Sequence, residues 1–557
     1  MTARRATLAL TLSTVLLLPL VLFAQTTAPA PSTPPQTTTP ATPAPDTTRR
    51  TPPALAADVE RIREEGLKRS QVLATIRHLT EVIGPRLTGS PAARRANEWT
   101  RDRLTSWGLQ NARLEEWGPF GRAWTLEHFS AEVVGPSGFP LHAYPKAWSP
   151  STPGPLTAEV INVAADDEQE LERYKGRLRG AFVLVGAVRQ QPADFTRPRA
   201  TRFTDEQLAR LEAAPDPSTL PPRAARILTA EQRNALEFAA RKLRFYHDEG
   251  AALLIDSSRS GDGGMLQFVQ SAAVPQSTAA GAQRVASWEK DAPKIVPQIS
   301  VSNDHYNRMV RMIEAGERVR ATVNIDAQMT DDARAFNTIA EIPGTDLKDE
   351  VVMLGAHLDS WHTATGATDN AAGVGMMMEA VRIIRASGLS PRRTIRIALW
   401  TGEEQGLLGS EAYVREHFGP VVAAGASPSF KPAAANLSAY FNADSGTGRV
   451  RGLYAQGNPA ARDLFRRWLD PVRDLGATVA TLSNSSGSDF LAFDQVGLNG
   501  FDFLQDEIEY EVRTWHSNED TFDRVIEEDM KQGATVVATI VYSAAMSDEK
   551  IPRKARR

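Results

Sequence analysis

The sequence contains no cysteine among its 557 residues. This absence excludes disulfide bonds, thiolate zinc sites, thiol nucleophiles and cysteine lipidation together. Any metal ion must therefore be bound through histidine, aspartate and glutamate. An excess of basic charge is also lacking, because 63 Lys and Arg residues stand against 67 Asp and Glu residues, for a formal net charge of −4. A chain without a basic excess has little attraction for phosphate backbones, so we expect no nucleic-acid partner.

Long apolar runs are scarce, and one stands at the start of the chain, at about residues 6–24. It follows Arg4 and Arg5, is broken by Pro19 and ends at the small residue Ala24. This arrangement is typical of a secretory signal peptide, which predicts a secreted or periplasmic protein without a stable membrane anchor after cleavage. The alternative is an uncleaved anchor helix, since the run approaches the ~20 residues needed to span a bilayer.

Large apolar side chains are almost absent from residues 25–54, which consist mainly of Thr, Pro and Ala. Such a segment cannot bury enough surface to offset the entropy of ordering it. We therefore expect an extended, Pro-rich linker there. The chain as a whole is 42% hydrophobic and 23% charged, which is ordinary globular composition.

Strand and helix patterns divide the remaining chain. An apolar stripe from Val59 to Leu79 predicts helices. Short β-branched runs after residue 150 predict a β-rich domain, and a polar stretch at about 188–245 predicts a helical insertion within it. From Asn337 onward strands and helices alternate, as in a parallel sheet covered by helices.

We therefore predict an α/β fold, a mixed, mainly parallel sheet flanked by helices with an inserted β-rich domain. The expected divisions are a signal peptide at 1–24, a linker at 25–54, a first part of the main domain at 55–150, the β-rich domain at 151–330, the rest of the main domain at 331–549 and a basic, frayed tail at 550–557.

Ionisable residues cluster at the ends of the predicted strands in the second half of the chain. Ligands of open α/β sheets bind outside the carboxyl ends of the strands. We therefore expect these side chains to converge in a cation site: His357 and Asp359 after VVMLGA, Asp369 at a helix start, Glu403 and Glu404 after TIRIALW, Asp444 after LSAYFNA, and His516 after LNGFDFL.

The mixture of imidazoles and carboxylates suits Zn²⁺ and related divalent ions. Asp359 would orient His357, since a metal-bound imidazole usually donates its other N–H to an acceptor. Of the adjacent Glu403 and Glu404, one would bind metal and the other would serve as a base, while Asp369 is the candidate for a carboxylate shared by two ions. Each element also has a structural explanation of its own, as a surface pair, a helix start or a turn, but the joint pattern favours a metal site.

Five short motifs carry a resemblance to a known family. GAHLDSW, GATDNAAGV, LWTGEEQGLLGS, NADSG and WHSNEDT resemble, in order and spacing, the motif series of the co-catalytic zinc exopeptidases. That family includes bacterial aminopeptidases, carboxypeptidase Q and glutamate carboxypeptidase II, and the carboxypeptidase Q type is the most similar. GPRLTGS (84–90) is similar to the family's N-terminal segment, and residues 151–330 resemble, more weakly, a protease-associated domain.

The resemblance implies two Zn²⁺ ions per chain and a role for each residue. His362 stands where carboxypeptidase Q-like sequences tend to carry an acid, and we expect it on a loop surface. The implied roles are His357 and Asp444 on one zinc, Glu404 and His516 on the other, Asp369 as the bridge, Glu403 as general base, Asp359 as the residue that orients His357, and Tyr510 as a candidate for stabilising the oxyanion.

The expected function is that of a secreted hydrolase that cleaves terminal peptide bonds with a water molecule activated by two metal ions. Its partners would be peptides with free termini, and a homodimer remains open. We favour aminopeptidase or dipeptidase action, since Glu403 and Asp489 are acids near the site, whereas Arg513 is the one basic residue close to a motif in sequence. The alternatives are carboxypeptidase action, a zinc amidohydrolase of the aminoacylase type, a glutaminyl cyclase, and a binding protein on an inactive peptidase fold.

Overall fold

A computed structural model describes residues 53–186, 188–190, 198–221, 229–261, 263–277, 283–419 and 430–554. The expected signal peptide and almost the whole expected linker lie outside these residues.

The α-helices are α1 (Pro53–Lys68), α2 (Val72–Arg77), α3 (Pro91–Ser106), α4 (Glu168–Glu172), α5 (Asp205–Glu212), α6 (Ala230–Asp248), α7 (Asn303–Glu314), α8 (Ala372–Ala386), α9 (Leu408–His417), α10 (Pro459–Leu469), α11 (Phe490–Asp494) and α12 (Glu527–Met546). The strands are β1 (Gln110–Gly135), β2 (Phe139–Pro140), β3 (Ala143–Pro145), β4 (Leu156–Asn162), β5 (Phe182–Leu184), β6 (Leu253–Ser257), β7 (Gln298–Val301), β8 (Arg320–Ile342), β9 (Leu347–His357), β10 (Arg393–Trp400), β11 (Leu437–Asn442), β12 (Val450–Tyr454), β13 (Val479–Thr481) and β14 (Gly500–Gln505).

The main sheet has the strand order β13-β12-β14-β11-β9-β10-β8. Its centre is parallel, because β14, β11, β9 and β10 pair in parallel with one another, while β8 and β12 join in antiparallel pairings. The predicted mixed, mainly parallel sheet flanked by helices is therefore confirmed.

Both faces of this sheet are buried, which explains the continuous apolar runs of its strands. In β9, Val352, Leu354 and Ala356 face a core that includes buried residues of α2, α8, α10 and α12, whereas Met353 faces a second core with residues of α9 and α11. A strand buried on both sides needs apolar residues at successive positions rather than at alternate ones.

A long two-stranded ribbon joins the main sheet to a second sheet. Strands β1 and β8 pair in antiparallel fashion from Gln110 opposite Glu341 to Gly135 opposite Arg320. One end of β8 pairs with β10 in the main sheet, and the other end pairs with β4. The expected boundary at residue 330 falls inside β8, so the two sheets share a continuous strand there.

The second sheet has the order β4-β5-β6-β7-β3, with parallel pairing throughout β4 to β7. Helices α5 and α6 lie largely in the stretch where the sequence predicts a helical insertion. Parallel neighbours need crossover connections, and such connections are usually helical. The resemblance to a protease-associated domain stays a prediction.

The end of the described chain packs against the main domain. Ile551 is buried, and Lys550 forms an ion pair with Glu350 at 3.3 Å. The expectation of a frayed tail is therefore wrong for residues 550–554. Among the described residues, none of the helices combines the length and the apolar character needed to cross a membrane.

Candidate metal centre

Four neighbouring parallel strands end at the same edge of the main sheet and deliver the predicted side chains there. His357 is the last residue of β9, and Glu403 and Glu404 follow β10. Asp444 follows β11, and His516 comes after β14 and a short π-helix, Tyr510–Thr514. Asp369 lies in another π-helix, Ala367–Ala371, directly before α8. The topology thus brings all five predicted metal ligands to one place.

The five side chains form two groups that share Asp369. In the first group, Nε2 of His357 lies 3.1 Å from Oδ1 of Asp369 and 3.2 Å from Oδ1 of Asp444. In the second, Nε2 of His516 lies 3.2 Å from Oδ2 of Asp369 and 2.8 Å from Oε2 of Glu404. The ligand atoms of each group lie within 4.8 Å of one another. The two oxygens of Asp369 therefore face different groups, as a bridging carboxylate would.

The charges at this edge attract cations. Burial lowers the pKa of His516, but the carboxylates of Glu404 and Asp369 outweigh burial and raise this pKa to about 10. The pKa of His357 is likewise raised, by Asp444 together with Asp359 and Asp369, against the effect of burial. Without other cations the site would thus hold positive charge as protonated imidazoles, which divalent ions can replace.

The donor atoms fit divalent metal ions of the zinc type. Both histidines turn Nε2 toward the carboxylates, while Nδ1 of His357 lies 3.1 Å from the backbone oxygen of Asp359. This is the usual arrangement of a metal-binding imidazole, whose second nitrogen donates to an acceptor. In addition, Oε1 of Glu404 is buried without a hydrogen-bond partner among the described residues. A bound cation would supply the partner that this buried carboxylate oxygen lacks.

Asp359 fixes two ligand-bearing segments at once. Its Oδ2 accepts hydrogen bonds from Oγ1 of Thr88, at 2.8 Å, and from the backbone N of Glu404, at 3.3 Å. Its Oδ1 accepts from the backbone N of Glu403, at 3.4 Å, and lies 3.6 Å from Nδ1 of His357. The side chain therefore holds the end of β9 against the loop after β10.

Arg86 braces the loop between His357 and Asp369. Its guanidinium is fully buried and donates to five backbone oxygens, which belong to Leu79, Gly84, Leu358, Thr365 and Gly366. Gly366 has a φ of 60°, and a Cβ there would stand 2.4 Å from Cβ of Ser360 and 2.9 Å from Nη2 of Arg86. The close approach therefore requires glycine at this position.

Asp520 holds the bridging residue from the other side. Its carboxylate accepts hydrogen bonds from the backbone N of Thr368, at 2.6 Å, and of Asp369, at 3.1 Å. Burial raises the pKa of Asp520 to about 7, and the charge of Asp369 adds to the effect. The backbone of Asp369 is thus fixed independently of its carboxylate.

Glu403 and Asp489 are further carboxyl groups at this edge. Burial raises the pKa of Glu403 well above its usual range; His357 opposes this shift, and Asp444 and Asp489 strengthen it. Asp489 is fully buried, both of its carboxylate oxygens lack hydrogen-bond partners among the described residues, and its pKa is raised to about 8 by burial. Neither side chain belongs to the two ligand groups.

Tyr510 and His362 take different positions. Burial raises the pKa of Tyr510, and the carboxylates of Asp369, Asp444 and Glu404 raise it further, so its hydroxyl lies within their electrostatic reach. The expected loop-surface position of His362 is wrong. Its Nε2 donates to the backbone oxygen of Pro145 at 2.7 Å, its ring packs edge-on against Trp124, and burial lowers its pKa to about 4.

One segment of the chain matches a known protein family. Residues 337–541, the segment that holds all five predicted ligands, match peptidase family M28. These residues belong to peptidase family M28. The chain is accordingly a hydrolase of the metallopeptidase class.

Similarity to individual proteins extends beyond the family M28 segment. The chain is 28% identical to carboxypeptidase Q of Mus musculus over 481 residues, which cover 85% of this chain and 86% of that protein. A peptidase M28 precursor from Shewanella amazonensis SB2B has the same fold, with a TM-score of 0.62, 22% identity and coverage of 90% and 99% of the two chains. A zinc aminopeptidase from Bacillus subtilis matches with a TM-score of 0.51, 18% identity and coverage of 86% and 95%.

Several residues that support the family M28 ligands were not singled out from the sequence. Arg86 and Thr88 lie in the GPRLTGS segment, and Asp520 lies in WHSNEDT, so both motifs carried a signal to which no individual roles were given. Gln270 also reaches the site, with its side-chain amide 3.1 Å from Nδ1 of His516. No sequence pattern marks Gln270, because it lies 246 residues from the ligand it contacts.

Proposed function

We propose that the chain is a zinc-dependent exopeptidase, an aminopeptidase or dipeptidase, that binds two metal ions. The observation that carries the proposal is the pair of ligand groups that share the two oxygens of Asp369. Two histidines and three carboxylates suit zinc, and a structural relative is described as a zinc aminopeptidase. Bound divalent ions would polarise the scissile carbonyl and activate a water molecule for attack.

Glu403 is the proposed general base and acid. It lies beside the ligands without belonging to either group, and burial raises its pKa, which favours the uptake of a proton by this carboxyl. Its role would be to accept the proton of the attacking water and to deliver it to the leaving amine. Asp359 would keep both the Glu403 backbone and His357 in place during this transfer.

Tyr510 is the proposed donor to the developing oxyanion. The phenol stays protonated because burial and three nearby carboxylates raise its pKa. A protonated hydroxyl near the ligands can donate a hydrogen bond to an oxygen that gains negative charge. This role requires no change in the charge of Tyr510.

The charges near the site favour recognition of a substrate amino group. Asp489 is a fully buried acid and Glu403 a half-buried one beside the ligands. An α-ammonium group would favour the ionised form of these carboxyls, whose pKa values are otherwise raised. Arg513, which precedes the WHSNEDT motif, forms ion pairs with Glu509 and Glu519. Its charge is therefore already balanced, which weakens it as a partner for a substrate carboxylate.

Carboxypeptidase action is the second candidate, and Arg259 favours it. The Arg259 guanidinium lies 4.7 Å from the centre of the Phe268 ring, which in turn lies 5.6 Å from the His516 ring. Among the described residues, no carboxylate forms an ion pair with Arg259. Burial lowers its pKa, and nearby Arg189 adds to the effect. A substrate α-carboxylate would relieve this unbalanced charge.

Blocking each substrate terminus separates the two candidates. The purified protein is assayed on dipeptides and short peptides, on N-acetylated forms and on C-terminally amidated forms, with bound metal measured by elemental analysis. We expect two zinc ions per chain and loss of cleavage on N-acetylation. Cleavage that survives acetylation and stops on amidation contradicts the aminopeptidase proposal and supports the second candidate. Absence of bound metal from active protein contradicts both.

The proposed location is the periplasm or the medium, on the basis of the apolar run after Arg4 and Arg5. Peptides with free termini are the proposed partners, and no nucleic acid is expected. Fractionation of producing cells tests the location. Protein retained in the cytoplasm at full length would contradict it.

A further inference from the structure

A segment of the second-sheet region contacts the loop that carries His516. The backbone N of Phe268 donates to the His516 oxygen at 2.7 Å, and the backbone N of Asn518 donates to the Leu266 oxygen at 3.0 Å. Gln267 adds side-chain bonds to the backbone oxygens of Trp515, at 3.1 Å, and Glu511, at 3.2 Å. Residues 266–270, called the clasp below, therefore fix the backbone on both sides of this metal ligand.

The clasp holds a backbone that would not adopt this conformation unaided. His516 has a φ of 52°, and Phe268, which bonds to it, has a φ of 63°. A non-glycine residue in the left-handed region brings its Cβ too close to the following carbonyl oxygen. Such strain persists where surrounding contacts over-determine the conformation, and it is concentrated at functional sites.

Gln270 is the residue of the clasp that reaches the imidazole itself. Its side-chain amide lies 3.1 Å from Nδ1 of His516, while Nε2 of the same ring faces Glu404 and Asp369. A metal ion on Nε2 requires a neutral ring with its proton on Nδ1. An amide presents either its oxygen or its nitrogen after a half-turn about its last bond, so the Gln270 oxygen can accept that proton's hydrogen bond.

We propose that Gln270 is a positioning residue for the metal ligand His516, which it orients and holds in the metal-binding tautomer. This inference rests on the proposed function. It makes half of the metal centre depend on a residue outside the family M28 segment at 337–541, since Gln270 belongs to the connection between β6 and β7.

The two metal positions then differ in the partner of their histidine. His357 has the carboxylate of Asp359 3.6 Å from Nδ1, in addition to the backbone oxygen of Asp359, whereas His516 has a neutral amide. A carboxylate partner raises the basicity of an imidazole ligand more than an amide does. The position formed by Glu404 and His516 is therefore the weaker one and loses its ion first to a chelator.

The test compares the zinc affinity of wild type, Gln270→Leu and Gln270→Glu, measured by competition with a chromogenic chelator on the full chain. Gln270→Leu should lower the affinity for one of the two zinc ions by about 10- to 100-fold. Gln270→Glu should bind that ion at least as tightly as wild type, because a carboxylate can also accept from Nδ1–H. If Gln270 only filled space, the Leu and Glu variants would not differ in this way in their zinc affinity.

Two further variants serve as controls. Gln110→Leu changes an exposed glutamine of β1 and should leave both affinities unchanged. Gln267→Leu removes clasp bonds that do not touch the ring, so a loss equal to that of Gln270→Leu would overturn the specific role of Gln270.

The remaining outcomes also decide the question. Wild type that binds two zinc ions, with Gln270→Leu unchanged in both affinities, overturns the inference and leaves the proposed function intact. Wild type without tight zinc contradicts the proposed function itself. If Gln270→Leu fails to fold, Gln270→Glu decides: weaker zinc than wild type overturns the inference, and equal or tighter zinc supports it.

Discussion

Replacing Asp359 by asparagine should loosen both halves of the metal centre, because no orientation of an amide can replace the carboxylate. Oδ1 accepts from the backbone N of Glu403, and Oδ2 accepts from the backbone N of Glu404 and from Thr88. An asparagine must turn its NH₂ group toward one of the two backbone N–H groups. Two donors then face each other inside a fully buried site, since Asp359 is 0% exposed.

The expected magnitude follows from these contacts. One buried backbone N–H without an acceptor costs about 1–3 kcal/mol of folding free energy. Weakened support for His357 and for the Glu404 loop should lower zinc affinity by about 10- to 100-fold. Thr88→Val removes a single hydrogen bond and leaves the Asp359 charge in place, so its effect should be smaller, about 1 kcal/mol.

Urea denaturation of the metal-free protein and chelator competition with zinc measure the two effects separately. Asp326→Asn, an exposed aspartate on β8, is the matched control and should leave both quantities unchanged. If Asp359→Asn binds zinc with wild-type affinity, the carboxylate does not support the ligands, and the reasoning fails at that point.

Three further changes test the roles of single groups. Glu403→Gln should lower kcat by about 10²-fold or more with two zinc ions retained, whereas Glu404→Gln should lower zinc content; the reverse pattern would exchange their roles. Tyr510→Phe should lower kcat by about 10²-fold with unchanged zinc content and little change in KM, and an unchanged kcat removes the hydroxyl from the mechanism. Burial raises the pKa of Asp502 to about 7, so folding favours its protonated form and stability falls as the pH rises from about 4 through 7. Asp502→Asn should therefore raise the free energy of unfolding at pH 8 by up to about 4 kcal/mol and leave it unchanged at pH 4, and an equal gain at both pH values, seen in urea denaturation, would contradict this cause.

The convergence of the predicted ligand residues could be foreseen from the sequence because strand patterns locate strand ends, and parallel strands end together. His357 and Asp444 each come directly after an apolar run, so the fold alone brings them to one edge. The residues that support them were harder to find, since Arg86 and Gln270 act across 246 residues or more of intervening chain. Their partners are largely backbone oxygens or a single ring nitrogen, which leave no pattern in the sequence.

One expectation about a side chain failed for an identifiable physical reason. His362 was expected on a loop surface. The structure half-buries it and packs its ring against Trp124, which is 238 positions earlier in the chain and belongs to the ribbon.

The ribbon of β1 and β8 also has a consequence for how the chain reaches its fold. Strand β8 covers β10 on one side, yet its own partner β1 is separated from it by the entire second-sheet region. Closing so long a loop adds little to the equilibrium cost, since each doubling of length costs only about 0.6 kcal/mol. It nevertheless delays pairing, because contacts between distant residues form slowly. Until the ribbon closes, β8 remains an open strand edge, and refolding at high protein concentration should lose molecules to aggregation through that edge.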